Sequence, residues 1–387
     1  MGPMDLHFNY KDIFRAPRIA LSGKKIWIFM SGNLAGFSSY WILTYLALYF
    51  SGLPTGNMIE KYGLYPTLFG NSATWFSWVT YFFGCLIWII SILLSYTAVS
   101  RVTIKQLKGN DFFSSNDSWS FVHKYWHPVV FTSFTILLII LFFLAFATIF
   151  ALICNLPYIG ALFYVLPYPF YIIGSVFTVY TGIVFLTSVL YAPAIVGTYE
   201  EDTMGTVFQT YAITWSQPWR IIAYNLLIWP LAYLGVTILS WFYYASIGLM
   251  NHIFGFIIGE SLNNIFTFSS KIVFPSNVLS WINSYVRIAD LTYLLPDVSQ
   301  TASNLSLIEI FSGIILALFL FLIILSVFSY GCSIIAVSRT LEFIIFKKLS
   351  DDDNLLDRKD EDELNDDDDF NFEEGTSFHD DSDDSEE

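Results

Sequence analysis

Six long, almost uncharged apolar stretches constrain this chain more than any other feature. A helix that crosses the roughly 30 Å hydrocarbon layer of a bilayer needs about 20 mostly apolar residues. The stretches that meet this requirement are residues 26–51, 74–99, 129–154, 170–196, 219–247 and 307–337. Only 13% of the residues are charged, about half the share in a soluble domain. We therefore predict an all-α, polytopic membrane helix bundle with about six transmembrane helices plus interfacial amphipathic helices.

The distribution of Lys and Arg predicts the orientation, because these residues are retained on the cytoplasmic side of membranes. With six spans, 15 of the 18 basic residues fall on one face, and Lys61, Lys271 and Arg287 fall on the other. We therefore expect a multi-pass protein of the cell membrane, in bacteria the inner membrane, with both termini in the cytoplasm. Residues 248–306 are expected to form an extracytoplasmic interfacial segment, because Glu260 and Lys271 make a further crossing costly.

Charge divides the chain into three parts. Residues 1–25 are basic and amphipathic, and we expect them to lie on the anionic inner leaflet. Residues 26–349 form the six-span domain. Residues 350–387 are predicted to be a disordered acidic cytoplasmic tail, because 20 of the 33 acidic residues lie beyond position 350. This tail either only repels anionic lipid or tethers a basic cytoplasmic protein partner. The aromatic residues available to anchor such a partner are Phe370, Phe372 and Phe378.

Small and polar residues inside the predicted spans are candidates for close helix packing or for a cavity. Gly32 and Gly36 have the spacing that lets two helices approach closely, and Asn33 lies between them. Asn225 is a polar residue of the fifth span, and Pro230 is expected to bend the middle of that span. Close packing is the simpler interpretation, and a substrate site is the alternative.

Two short similarities recur within the chain and predict anchors at the inner interface. The sequence Ala-Val-Ser-Arg ends the second and sixth spans, and places Arg101 and Arg339 where they can reach the lipid headgroups. A surface helix, an interfacial Trp and a Pro at the first turn of a span precede spans three and five. The predicted anchors are Arg101, Trp126, Pro128, Trp215, Pro218, Trp219, Arg220 and Arg339. The repeated pattern indicates either two related transporter-like halves or a helix start that suits any span entered from the cytoplasm.

No residue pattern predicts catalysis, a cofactor or a metal. The three cysteines have no Cys or His neighbour at ligand spacing. His123 and His127 are four residues apart, but Lys124 stands where the metalloprotease motif requires Glu. The acidic run 200–202 is expected to start a surface helix, with cation binding as the alternative. We therefore predict no enzymatic activity, no cofactor and no nucleic-acid partner.

One stretch carries a family resemblance. Residues 191–206, followed by Tyr211 and the run from Trp215 to Arg220, resemble a family of uncharacterised bacterial polytopic membrane proteins with about six spans. The same stretch is distantly similar to the membrane domain of some glycerophosphodiester phosphodiesterases. The resemblance covers about residues 10–365 and implies a multi-span inner-membrane protein. It supplies no catalytic residues, and the phosphodiesterase catalytic barrel is absent.

The features together favour a non-enzymatic membrane-organising or accessory protein that contacts anionic lipid and a protein partner. The alternative is a transporter or permease-like protein for an apolar or zwitterionic solute. A polar cavity near Asn33, Asn225 or Pro230 would favour the transporter, and a dry, packed bundle would count against it. A lipid-modifying enzyme is a third hypothesis, although the sequence shows no acid–base pair.

Overall fold

The computed structural model describes residues 6–70, 72–157, 159–274 and 305–358. The structure is 84% helical, and the described residues contain no strand, which confirms the predicted all-α helix bundle. The helices are α1 (Tyr10–Ile13), α2 (Ala16–Ala20), α3 (Gly23–Phe50), α4 (Thr55–Tyr62), α5 (Trp75–Leu107), α6 (Ser115–Cys154), α7 (Gly160–Val165), α8 (Tyr168–Tyr199), α9 (Thr203–Ser216), α10 (Pro218–Ile258), α11 (Glu260–Val273) and α12 (Leu307–Asp351).

Five helices of the described chain, α5, α6, α8, α10 and α12, are long and apolar enough to cross a membrane. They contain 32 to 45 residues each. At about 1.5 Å per residue the shortest of them is about 48 Å long, which exceeds the hydrocarbon thickness. These helices confirm a multi-pass membrane protein, and each extends beyond its predicted span at one end or at both.

The predicted first span corresponds to α3, whose 28 residues are long enough to cross a bilayer but include several Ser, Gly and Tyr residues. α3 runs antiparallel along α5. Gly32 lies against Ser95 near one end of the pair, and the rings of Tyr40 and Tyr81 are 6.0 Å apart further along. α3 is not among the five helices that are apolar enough to span a membrane, so the count of six spans stays a prediction.

Local sequence signals set several helix starts. The Ser114 side chain accepts a hydrogen bond from the amide of Asp117, whose carboxylate returns to Ser114 in a capping box at the start of α6. The Asp202 side chain accepts from the amide of Gly205 at 2.7 Å and caps α9. Such caps each contribute about 1 kcal/mol to helix stability. The acidic run 200–202 therefore starts a helix, as its sequence predicts.

Buried residues concentrate at one end of the bundle. Every residue is buried in segments 95–105 of α5, 191–198 of α8 and 336–347 of α12. We call these three segments the core end. By contrast, residues 141–150 of α6, toward the opposite end, are all exposed or half-exposed. The bundle is therefore packed like a soluble protein at the core end and presents apolar side chains to lipid elsewhere.

The N-terminal segment packs into the bundle to a greater extent than its amphipathic sequence predicts. Ile13, Ala16 and Ala20 are fully buried, and the Tyr330 hydroxyl of α12 donates a hydrogen bond to the Pro17 carbonyl at 3.1 Å. The exposed apolar side chains of this segment are Tyr10, Phe14 and Leu21. Half of the segment is therefore a structural part of the core end, and half remains available to lipid.

The predicted extracytoplasmic segment, 248–306, is helical at its start. α10 continues to Ile258, and the amphipathic helix α11 then packs against α12. The Ser269 hydroxyl of α11 donates a hydrogen bond to the Gly313 carbonyl of α12 at 2.8 Å. The surface helix predicted from Val278 onward and the tail from residue 359 lie outside the described residues.

Candidate functional site

The core end contains a buried ion pair between α5 and the turn after α8. The Arg101 side chain is fully buried, and its Nη2 lies 2.5 Å from Oε1 of Glu200. The guanidinium stacks on the Phe121 ring, with its Cζ 4.5 Å from the ring centroid. Glu200 has the left-handed φ of 58° that ends α8, and the turn directs its carboxylate toward α5. A buried guanidinium is tolerated because it has this partner and this aromatic surface.

Gly197 allows α8 to approach α5 closely at this point. A Cβ added to Gly197 would lie 2.7 Å from the Ser100 Cβ and 2.8 Å from the Thr97 carbonyl oxygen, closer than real Cβ atoms approach either group. The absence of a side chain therefore brings the two helices together three residues before Glu200. This close approach positions the ion pair.

A second polar network connects α12, α10 and α8. The guanidinium of Arg339 donates to the Leu190 carbonyl at 3.3 Å and to Oδ1 of Asn225 at 3.2 Å. The Asn225 amide donates to the Tyr191 hydroxyl at 2.9 Å, and that hydroxyl donates to Oε2 of Glu342 at 2.7 Å. Glu342 is fully buried, and its Oε1 has no hydrogen-bond partner among the described residues. Most of these polar groups therefore hold helices together.

A hydrogen bond links the first Ala-Val-Ser-Arg segment to the residue that directly follows the second. The Thr340 hydroxyl donates to the Ser100 hydroxyl at 2.9 Å, next to Arg339 and Arg101 respectively. The sequence shows that the two segments are similar, but it does not show that they touch. Their contact joins the ion pair and the second network into one buried polar layer.

A third buried cation lies at the start of α3. The Lys25 Nζ donates to the Ile19 carbonyl at 3.1 Å and to Oε1 of Gln106 at 2.8 Å. Lys25 precedes the first predicted span, and burial lowers the pKa of its ammonium to about 7. No carboxylate is among the partners of these two hydrogen bonds, so desolvation determines the direction of the shift.

This shift predicts a pH dependence of folding stability. Between about pH 7 and the ordinary lysine value of 10.5, the unfolded chain binds a proton that folded Lys25 lacks. Stability should therefore rise with pH in this window, by at most about 1.4 kcal/mol per pH unit. Denaturation in detergent micelles at pH 7, 8 and 9 should show this slope in the wild-type chain, and a smaller slope in Lys25→Met.

The neighbouring Lys24 provides the control, because it is exposed and its Nζ donates to two backbone carbonyls. Lys24→Met should keep the wild-type slope. Equal slopes in the wild type and Lys25→Met would contradict the assignment.

Two of the three predicted arginine anchors are buried in the protein, and the third lies at the start of a spanning helix. Arg101 and Arg339 are predicted to reach the headgroups, but in the structure they are 0% and 5% exposed and bind protein groups. The reason is that Glu200 and Asn225 provide protein partners, which replace the headgroups. Arg220 does lie at the start of a spanning helix, where its Nη1 donates to the Gln217 side chain at 2.5 Å.

The predicted aromatic and proline anchors differ in exposure and in their place in the helices. Trp215 and Trp219 are 77% and 81% exposed, Trp126 is 39% exposed, and Pro218 stands in the first turn of α10. Pro128 differs, because α6 runs through it from Ser115. The backbone of Tyr125 is non-helical there, with φ −112° and ψ 26°, so a kink separates the surface part of α6 from its spanning part.

Three of the residues predicted for packing or a cavity, Gly32, Asn33 and Gly36, make packing contacts. A Cβ on Gly32 would lie 1.8 Å from Ser95 Oγ, and one on Gly36 would lie 2.7 Å from Trp88 Cδ1. Asn33 is buried, and its Oδ1 accepts from Trp88 Nε1 at 3.3 Å. Pro230 lies within α10 and is exposed. Asn225 belongs to the second network.

The described structure has a polar and an apolar cavity, and Asn33, Asn225 and Pro230 line neither. The polar cavity, about 270 Å³, lies between the start of α6 and the Glu200 turn, and Asp117 and Lys124 line it. Hydrogen bonds from Ser114 hold the pKa of the Asp117 carboxyl below its usual range. The apolar cavity, about 1050 Å³, lies between α6 and α8 away from the core end.

Two residues of the second network, Tyr191 and Glu342, are absent from the sequence-based predictions. Glu342 follows Arg339 by three positions, a spacing that places both on one helix face. That spacing was the available signal. Among the described residues, no group of three or more His, Cys, Asp and Glu side chains is arranged to hold a metal ion.

The chain matches no protein family model, no curated protein and no solved structure. The resemblance of residues 191–220 to bacterial polytopic membrane proteins therefore stays a prediction. The buried polar layer and the cavities are the observations from which a function can be inferred.

Proposed function

We propose that this protein is a non-enzymatic membrane-organising or accessory protein, which presents its acidic tail to a basic protein partner. The observation that carries this proposal is the burial of α12 at the core end. Every residue from Ala336 to Lys347 is buried, and this segment leads directly into the tail. The tail therefore follows one of the three fully buried segments of the core end. We place that end in the cytoplasm, in the cell membrane, on the distribution of basic residues.

The first residues after α12 are held against the core end. The Tyr199 hydroxyl donates to Oδ2 of Asp353 at 3.1 Å, and Leu355 is only 2% exposed. The Arg358 guanidinium lies 4.0 Å from the Tyr199 ring centroid, and the Lys108 ammonium donates to the Arg358 carbonyl. These contacts fix the point from which the remaining acidic sequence starts. A tether with a fixed starting point can recruit a partner to a defined place on the membrane surface.

Charge supports the two proposed contacts of this face. The acidic residues beyond position 350 attract a basic partner over a distance and accelerate its association. On the N-terminal segment, Lys11 and Arg18 are exposed beside the exposed apolar side chains of Phe14 and Leu21. A surface with both basic and apolar groups suits the headgroup region of an anionic leaflet.

The geometry gives less support to a transporter. Asn33 and Asn225, the polar residues expected beside a solute path, instead make hydrogen bonds between helices. Such buried hydrogen bonds stabilise helix packing in a membrane. The transporter thus stays the weaker alternative.

Affinity capture with the solubilised full chain tests the tail. A chain ending at Arg358 should lose the partner, and Phe370→Ala, Phe372→Ala and Phe378→Ala together should weaken capture about tenfold or more without changing charge. Raising the salt concentration should release the partner, because the attraction is largely electrostatic. The partner is identified by mass spectrometry from wild-type captures.

The thermal stability of the shortened chain is the control, because that chain keeps all the described contacts of the core end. Its unfolding temperature should equal that of the full chain. Recovery of the same partner with the full and the shortened chain would overturn the proposed role of the tail.

A further inference from the structure

The cavity of about 1050 Å³ is a cleft between α6 and α8, far from the core end. Phe143, Phe146 and Phe150 form one wall on α6, and Phe170 and Gly174 lie on the α8 wall. None of the described residues that line the cleft is charged. Its volume is at the upper limit of ligand pockets, which measure about 300–1,000 Å³. The cleft is thus large enough for a lipid chain and has no charged group for an ionic ligand.

Two hydroxyl groups on the α8 wall of the cleft donate to carbonyls of their own helix. The Thr178 hydroxyl donates to the Gly174 carbonyl at 2.8 Å, and the Ser175 hydroxyl donates to the Ile172 carbonyl at 3.0 Å. An occupant therefore needs no polar group beside these two hydroxyls. The cleft therefore behaves as an apolar surface along its length, although these two hydroxyl groups line it.

Polar groups gather at the end of the cleft that is closed by α7. Asn155 and Tyr164 line this end. The Tyr171 hydroxyl donates to the Phe163 carbonyl at 3.1 Å and fixes α7 over the start of α8. The rings of Tyr164 and Tyr171 are stacked, with their centroids 6.2 Å apart. The cleft thus changes from apolar to polar toward the membrane surface, as a lipid does.

The cleft opens sideways toward the bilayer. Its α6 and α8 walls lie in the third and fourth predicted spans, and Phe146 and Phe170 are 53% and 75% exposed. In a membrane these exposed rings face hydrocarbon. The walls of an empty cleft would lack dispersion contacts that a hydrocarbon chain can make with them. We therefore expect a hydrocarbon chain to occupy the cleft.

We propose that this cleft binds one phospholipid of the adjacent leaflet, with an acyl chain between α6 and α8. The glycerol and ester region of the lipid lies beside Asn155 and Tyr164. The aromatic walls give this lipid more contact area than the bilayer provides, so it is held more tightly than its neighbours. This site is independent of the tail and of the proposed partner.

Two glycines of α8 provide a matched test. Gly174 lines the cleft and Gly182 does not, and a Cβ at either position would meet no described heavy atom within 4 Å. Gly174→Phe should fill the cleft, whereas Gly182→Phe adds the same ring elsewhere on the helix. The full chain is reconstituted with one synthetic phosphatidylcholine, transferred to detergent, and examined by native mass spectrometry.

We expect the wild type and Gly182→Phe to retain one phosphatidylcholine per chain, and Gly174→Phe to retain at least about tenfold less, the change that corresponds to 1.4 kcal/mol. Equal retention by all three chains, or no retention by the wild type, would overturn the proposal. A dimer without lipid would also overturn it, because a second copy would then be the occupant.

A second measurement covers the case in which Gly174→Phe does not fold. A phosphatidylcholine with a photoreactive acyl chain should label the wild-type chain within residues 143–155 and 164–179. Labelling spread evenly over the lipid-facing helices would contradict a specific site.

Discussion

Arg101→Met is expected to lower the free energy of unfolding by about 3–5 kcal/mol, the cost of removing one partner from a buried ion pair. The substitution leaves the Glu200 carboxylate, whose side chain is 10% exposed, without its guanidinium. It also removes the stacking of the guanidinium on Phe121. Equilibrium unfolding in detergent micelles measures the loss.

A double-mutant cycle separates the ion pair from general packing. Arg101→Met combined with Glu200→Gln should be less destabilised than the sum of the two single variants, with a coupling of about 0.5–3 kcal/mol. The exposed pair Lys348–Asp352, 2.8 Å apart, is the control. Asp352→Asn should change stability by less than about 1 kcal/mol. Strict additivity at Arg101 and Glu200 would show that the pair does not act as a unit.

Gly32→Ala is expected to cost about 1–3 kcal/mol, because overpacking forces neighbouring groups apart. The new Cβ would lie 1.8 Å from Ser95 Oγ, so α3 and α5 must separate or the serine must move. Adding Ser95→Gly removes the two closest atoms, and should restore most of the lost stability. The same denaturation experiment measures both variants.

Gly248 is the control for this second prediction. It lies inside α10, and a Cβ there would meet no described heavy atom within 4 Å. Gly248→Ala should be neutral or stabilising by up to about 1 kcal/mol, since alanine favours helix more than glycine does. Equal effects at Gly32 and Gly248 would mean that the close contact between α3 and α5 is absent.

The helical fold was predictable because its signals are local. Hydropathy over 20 residues marks a spanning helix wherever that helix packs. The cap at Asp202 and the spacing of Gly32 and Gly36 likewise act within a few residues. The spacing predicts that α3 has a close neighbour, but only the structure shows that α5 is that neighbour.

The buried polar layer was not predictable in the same way. An Arg at the end of an apolar run can reach headgroups or bind a protein group. The local sequence around Arg101 and Arg339 is compatible with either outcome. The choice depends on distant groups. The hydrogen bond between Tyr191 and Glu342 joins residues 151 positions apart. No local pattern contains that information.

Helix α2 is held in place by a helix that is synthesised much later, α12. The carbonyls of Pro17 and Ala20 accept hydrogen bonds from Tyr330 and Ser333, each 313 positions later in the chain. Because the ribosome makes α2 long before α12, these carbonyls lack their two α12 donors through most of translation. A nascent chain interrupted before α12 would leave Ile13 and Ala16 uncovered, and cellular quality control can recognise such a surface. Synthesis of α12 is thus required before α2 has these two hydrogen-bond donors.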